Sequence, residues 1–252
     1  SDAYGIGDPE QPTWGGMGGR YTPRTSGVSG VIGAPFYWCE ESDNWNGSTN
    51  RNNTAARFAD ALQRDFRVRF DWLLDSFSDT NHPPVPSITV NGGNAVTKGV
   101  TVVSAAPGST VNMSVSVSDP DNGDSHTYNW VYYKEAGSFG GGVSISNGSS
   151  ANASFTVPNN ADGEQIHVYV EVTDDGSRKG DRTPDLTRYC RVVINVGGTP
   201  PPNQAPDASL SADDTSVDTD VFVTLDASGS SDPDGDSLTY EWDFDDGNGF
   251  VA

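Results

Sequence analysis

The sequence predicts a mainly β protein: tandem Ig-like or fibronectin-like β-sandwiches, preceded by a loop-rich segment with one long amphipathic α-helix. Three observations carry this expectation. Short apolar-alternating runs, bounded by Gly, Pro, Asn or Asp, fill the middle of the chain. Gly (29) and Pro (16) are abundant among the 252 residues, as turn-rich β proteins require. Acids outnumber bases 35 to 14, and 28 of those acids are Asp against 7 Glu. Asp favours turns and hard-cation ligation, whereas Glu favours helices.

Two Pro-rich points divide the chain, His82-Pro83-Pro84 and Gly197-Gly198-Thr199-Pro200-Pro201-Pro202. Pro runs favour stiff, extended linkers. Residues 1–82 and 83–198 each carry a net charge of −4, while residues 199–252 hold 13 acids and no base. This shift in composition marks a boundary at residue 199.

In residues 1–82, Asn53-Thr54 can cap a helix over 54–77. Phe58, Leu62, Phe66, Phe70, Leu73, Leu74 and Phe77 recur at helical steps, opposite Arg57, Asp60, Arg64, Asp65, Arg67 and Asp71. So much aromatic surface requires a partner, either the next module or a domain outside this sequence. Two loops ahead of the helix are rich in aromatics. Trp14, Arg20, Tyr21, Tyr37, Trp38 and Trp45 are the ligand-binding candidates, because Trp and Tyr stack on sugar rings and neighbouring polar groups bond hydroxyls. Ordinary loop packing is the alternative.

Residues 83–198 hold seven runs that read as strands: Ser87–Val90, Val100–Ser104, Thr110–Val117, Thr127–Tyr133, Ala153–Val157, Gln165–Val172 and Arg188–Val196. Seven short strands at this spacing form an Ig-like sandwich. Tyr128, Trp130 and Tyr132 share one face, with Trp130 in the core, and Asn129, Val131 and Tyr133 point outward. The loop Ser118-Asp119-Pro120-Asp121-Asn122-Gly123-Asp124-Ser125 packs carboxylates together. Asp119, Asp121 and Asp124, joined by Asp174 at a later strand end, are candidate ligands for structural Ca²⁺, which takes six to eight oxygens. A solvated Asp-rich turn is the plain alternative.

In residues 199–252, Ser231 to Trp242 repeats Ser118 to Trp130 with Asn122 missing. Asp232, Asp234 and Asp236 are thereby further calcium candidates. With no base present the segment repels itself. Calcium would relieve this and stiffen the array; high charge also serves solubility.

Several classes are excluded. A pI near 4.1 opposes nucleic-acid binding, and no apolar run can span a membrane. Two cysteines, Cys39 and Cys190, make no disulfide framework and are expected as two buried free thiols. His82, His126 and His167 form no triad or metal spacing, and His167 reads as structural. No phosphate-loop or dinucleotide motif is present.

The order Gly7-Asp8-Pro9-Glu10-Gln11-Pro12-Thr13-Trp14-Gly15-Gly16-Met17-Gly18-Gly19-Arg20-Tyr21, then the Phe- and Arg-rich helix, then Asn81-His82-Pro83-Pro84, resembles a family of secreted bacterial cellulose-binding, nucleoside-hydrolase-like proteins. The resemblance covers residues 1–198. It implies that the loop and helix close an α/β nucleoside-hydrolase-like domain, that Asp8, Glu10, Trp14, Arg20 and Tyr21 form at most one wall of its site, and that the catalytic calcium cluster lies outside this sequence. Residues 203–247, with Leu225-Asp226-Ala227-Ser228-Gly229 and Tyr240-Glu241-Trp242-Asp243-Phe244, resemble the PKD (polycystic kidney disease) repeat, an Ig-like spacer. Asp245 stands where that family commonly has Gly, and the copy reads as incomplete, its open strand edge suited to self-assembly.

The resulting expectation is a non-catalytic binding and spacer region of a secreted, extracellular bacterial polysaccharide-utilisation protein, with cellulose or a related glucan as partner. Two alternatives stand beside it: part of a nucleoside-hydrolase-like glycosidase, and a calcium-stiffened adhesin, stalk or fibre subunit.

Overall fold

The computed structural model describes residues 3–24, 36–121, 123–176, 184–197, 206–214, 216, 222–231, 238–240 and 242. The chain forms two compact units, Ser1–Thr199 and Pro200–Ala252. The protein is mainly β, with two α-helices among the described residues.

The first unit opens with strands β1 (Thr22–Arg24), β2 (Phe36–Trp38), β3 (Asp43–Trp45) and β4 (Ser48–Asn50), followed by helices α1 (Asn53–Ala56) and α2 (Ala59–Leu74). The sandwich strands follow: β5 (Val85–Val90), β6 (Val96–Thr97), β7 (Val100–Ala105), β8 (Thr110–Ser118), β9 (His126–Tyr132), β10 (Asn152–Thr156), β11 (Gln165–Asp174) and β12 (Thr187–Val196). All seven expected strands are present, and among the described residues of the sandwich only the two-residue β6 is additional.

These strands build two four-stranded sheets, ordered β10-β8-β5-β6 and β7-β12-β11-β9. Their facing sides enclose one core. Ile88, Val111, Met113, Phe155, Val168, Val170, Val192 and Ile194 are fully buried there, and Trp130 joins them as the sequence predicted. Period-2 alternation puts these residues on one side of each strand.

The other side of β9, β11 and β12 is also covered. Tyr133, Tyr169 and Tyr189 pack there with Ile6, Phe58 and Ala61 in a second, aromatic core. The outward placement expected of Tyr133 is therefore corrected: it is fully buried, because Ile6, Phe58 and Ala61 pack over that face. The chain crosses the sheet closely at Gly5, where the Tyr189 N–H donates to the Tyr4 carbonyl at 2.8 Å. A Cβ on Gly5 would sit 2.1 Å from the Tyr189 carbonyl oxygen, and its φ of +84° favours glycine as well.

The single helix expected over 54–77 is two helices. Phe58 adopts φ −106° and ψ 0° between α1 and α2, and its ring sits edge-on to Tyr189 at 5.7 Å and to Tyr133 at 6.4 Å. α2 stops at Leu74, and Asp75 is extended. The expected apolar stripe is also corrected. Phe58 is buried, but Phe66, Phe70, Leu73, Leu74 and Phe77 are exposed, Leu73 at 82%. Ala61, Asp65 and Val68 face inward instead. Asn53 and Thr54 do not cap a helix. The Asn53 amide bonds the Asp43 and Ser48 carbonyls at 3.1 and 2.7 Å, closing the β3–β4 hairpin.

In the second unit, β13 (Ser211–Ala212) pairs antiparallel with β14 (Leu225–Asp226), and Asp207 bridges Ser231. A second complete sandwich is not found among the described residues. Among the described residues no helix is long and apolar enough to cross a membrane.

Candidate functional site

The six aromatic and basic candidates separate into three environments. Tyr37 and Trp38 are exposed at 42% and 46%. They lie on β2, paired with Pro23 and Thr22 of β1, and a strand sends neighbouring side chains to opposite faces. Tyr21 bonds the Gly18 carbonyl at 2.8 Å and, with Asp8, Pro12 and Gly16, lines an open cleft of about 400 Å³. Glu10 is tied into this loop by its N–H, which bonds Asp8 Oδ1 at 2.9 Å.

Trp14, Arg20 and Trp45 are engaged in packing. Trp14 meets His167 edge-on at 5.1 Å, and its carbonyl accepts Nη1 of Arg191 at 2.9 Å. Arg20 is buried, donating to Asp43 at 3.0 Å and pairing with Glu41 at 3.0 Å. Trp45 lies under the Arg57 guanidinium at 5.4 Å and lines a polar groove with Arg64, Glu171 and Thr173. Of the six, Tyr37 and Trp38 present the open aromatic surface.

A buried network that the sequence reading missed holds these loops down. Asp43, fully buried, accepts Arg20 Nε and the Tyr133 hydroxyl, the latter at 2.6 Å, and pairs with Arg57 at 3.5 Å. Arg57 stacks over the Tyr133 ring at 4.1 Å, with Arg191 at 5.3 Å. Burial, then Asp43, pushes the Tyr133 hydroxyl well above its usual range. The available signal was Arg191, a charge inside the apolar run of β12, since a cation buried in a strand requires a partner.

The acidic loop is assembled as expected. Oxygens of Asp119, Asp121 and Asp124 all lie within 4.8 Å of one another. Asp119 meets His126 Nε2 at 2.8 Å, and Asp121 meets His82 Nδ1 at 3.2 Å. Asp174, at the end of β11, is buried. It accepts the Leu186 N–H at 2.8 Å and the Asn81 amide at 3.0 Å. Burial is the main cause raising its carboxyl to about 6, opposed by those two hydrogen bonds, and Asp119 and Asp124 add to the rise. Asp232, Asp234 and Asp236 lie outside the described residues.

Cys39 is exposed and Cys190 buried, and both are free. The expectation that both are buried is corrected for Cys39, which follows the exposed strand β2. His167 is structural as read. Burial first, then Arg191 and Arg20, pushes it down to about 2.

The fold defines the class: a β-sandwich module with one sheet covered by an N-terminal mantle of loops and a helix. Within the chain, residues 110–196 match the family model described as "Cellulose-binding protein Sde0182, C-terminal domain". Residues 203–251 match the model of the PKD domain. A solved structure from Saccharophagus degradans, described as a nucleoside hydrolase-related hypothetical protein associated with carbohydrate metabolism, is 38% identical, with a TM-score of 0.59. The match covers 77% of this chain and 44% of that one, so this chain spans less than half of that relative. Both resemblances stated from the residues are thereby borne out. No curated protein matches the chain.

Proposed function

We propose that the chain is a non-catalytic polysaccharide-binding and spacer region of a secreted polysaccharide-utilisation protein, with cellulose or a related glucan as ligand. The observation that carries this is the open aromatic pair Tyr37 and Trp38 on a two-stranded ribbon. An exposed ring offers a flat apolar face to a sugar ring, and anchoring the ribbon beforehand limits the entropy lost on binding. The Arg20–Asp43–Tyr133 network supplies an anchor for the neighbouring loops. The cellulose-binding description of the matched family, and the carbohydrate association of the Saccharophagus relative, support the ligand class.

Retention on insoluble cellulose, xylan and chitin tests this proposal. The unaltered chain is retained on one polymer, and Tyr37→Ala with Trp38→Ala weakens retention by about tenfold or more, the loss of a hot-spot aromatic contact. Equal passage through all three polymers, or retention unchanged in the double variant, overturns it.

A second reading is favoured by the exposed apolar side chains Phe66, Phe70 and Leu73 of α2 and Phe77 just beyond it. Contiguous apolar surface of this kind marks an interface. Here the face would pack on a nucleoside-hydrolase-like domain, a reading supported by the description of the longer Saccharophagus relative. Joining this chain to the unmatched part of that relative would then slow hydrogen exchange over residues 66–77. Unchanged exchange overturns it.

A further inference from the structure

The outer face of the β9-β11-β12 sheet changes character along its length. At Tyr169 it is aromatic and covered. Farther along β11 the same side carries Glu171 and Thr173, since alternate residues of a strand share a face. The register extends this into two rows across three strands. Thr127, Thr173 and Thr187 lie opposite one another, and next to them Asn129, Glu171 and Tyr189. The three threonines and Glu171 line a groove of about 340 Å³ together with Trp45 and Arg64. Sites for small ligands span about 300–1,000 Å³.

The polar groups of this groove are fixed in place and keep hydrogen-bonding capacity. Glu171 Oε2 accepts the Asn129 amide at 2.7 Å, which leaves Oε1 as an acceptor. The Thr173 and Thr187 hydroxyls lie 2.8 Å apart. Whichever of them donates, the other keeps its proton for a further acceptor. Arg64 is set between Asp60 at 2.9 Å and Asp185 at 3.2 Å. Arg57 lies over the half-buried Trp45 indole at 5.4 Å and pairs with Asp43, so the ring is oriented before any ligand arrives. A second hollow of about 460 Å³ shares Asp60, Arg64 and Asp185 and reaches Gln63 and Arg67. A ligand of more than one ring therefore has room to extend past Arg64.

These groups define the ligand. Carboxylate and hydroxyl oxygens serve ligand hydroxyls, and an indole packs on the C–H face of a pyranose ring. Three carboxylates, Asp60, Glu171 and Asp185, outnumber the two guanidiniums, Arg57 and Arg64, so an anionic ligand meets like charge and a neutral one does not. We propose that this groove binds a short segment of a neutral glycan, with a pyranose ring against Trp45 and hydroxyls on Glu171, Thr173 and Arg64. It is a second carbohydrate site, sharing no residue with the Tyr37–Trp38 pair, and it rests on the polysaccharide reading for the class of ligand alone. The exposed pair meets a polymer surface, and the groove takes a single chain.

The test titrates the full chain by calorimetry with soluble cellohexaose, xylohexaose and oligogalacturonate. One of the neutral hexamers binds, and oligogalacturonate does not. Trp45→Ala and Glu171→Gln each weaken that binding by about tenfold or more, as the loss of an aromatic anchor or of a charged hydrogen-bond acceptor does. Thr127→Arg, at an exposed position of the groove, leaves the Trp45 packing in place. It blocks entry and weakens binding by the same factor, while its unfolding midpoint stays that of the unaltered chain. Binding that survives Glu171→Gln and Thr127→Arg, or a preference for oligogalacturonate, overturns the proposal. A chain that is retained on an insoluble polymer yet binds no soluble hexamer also overturns the groove and leaves the Tyr37–Trp38 reading standing. A chain that passes through every polymer, but binds a hexamer and loses it in Trp45→Ala, supports the groove and overturns the role of the exposed pair. Neither retention nor binding overturns both.

Discussion

Asp65 on α2 accepts a hydrogen bond of 2.8 Å from Nη2 of Arg188 on β12, across 123 residues of sequence, and both side chains are buried. Asp65 also accepts the Tyr4 hydroxyl at 2.9 Å and Arg69 at 3.2 Å, and the Arg188 guanidinium lies over the Tyr4 ring at 4.7 Å. This cluster pins the mantle to the outer face of the sheet. Removing one partner leaves a buried charge uncompensated. Asp65→Ala is expected to cost about 3–5 kcal/mol, read from the midpoint of urea unfolding. A loss no larger than that of an exposed α2 substitution such as Arg67→Ala would show that the pair is not desolvated.

Phe58 and Phe70 belong to one sequence stripe but to opposite environments, fully buried and half exposed. Phe58→Ala should therefore cost about 3–5 kcal/mol as a core truncation. Phe70→Ala should stay within about 0.5 kcal/mol as a surface change. Comparable losses in the two variants would mean that α2 is rotated from the orientation described.

His167 gives a pH dependence of fixed sign. Its folded-state value is pushed to about 2, chiefly by burial, while a free imidazole titrates near about 6.5. Below the latter value the unfolded chain takes a proton that the folded one refuses, so stability falls as the pH drops. One pH unit below, the loss from this group is about 1.4 kcal/mol. Thermal or urea midpoints between neutral and mildly acid pH measure it. His167→Leu should flatten the slope there, and an unchanged slope would assign it to other groups.

The two thiols should differ in reactivity. Burial pushes the Cys190 thiol up to about 11, against hydrogen bonds from Gly99 and Lys98, whereas Cys39 is exposed. A thiol reagent that attacks the thiolate should label Cys39 in the folded chain and Cys190 only after denaturation. Two equivalents reacting at the same rate under native conditions would contradict this.

The strands were legible because each carries its own period-2 signal, and Trp130 lies at an inward position of β9 in both sequence and structure. The acidic loop was legible because its residues are neighbours in the chain. The α2 orientation was not. Its strongest apolar stripe faces away from the sandwich, while a thinner edge of Ala61, Asp65 and Val68 makes the contact, held by an ion pair to Arg188 that helical periodicity cannot display. Which of the aromatic candidates stay open was not legible either. Trp14 and Trp38 look alike in a loop sequence, yet Trp14 packs edge-on to His167 and Trp38 remains open.

The sequence by itself determined the strand pattern, the inward and outward sides of the sandwich core, the PKD-like repeat and the carboxylate loop, because each is encoded in short-range spacing. Only the tertiary structure decided that the second side of β9, β11 and β12 is buried beneath the mantle, which aromatic rings stay exposed, and that the Asn81 amide holds the buried Asp174. These contacts connect residues about 20 to more than 100 positions apart, and such pairings are fixed by packing and desolvation across the whole unit, not by local propensity.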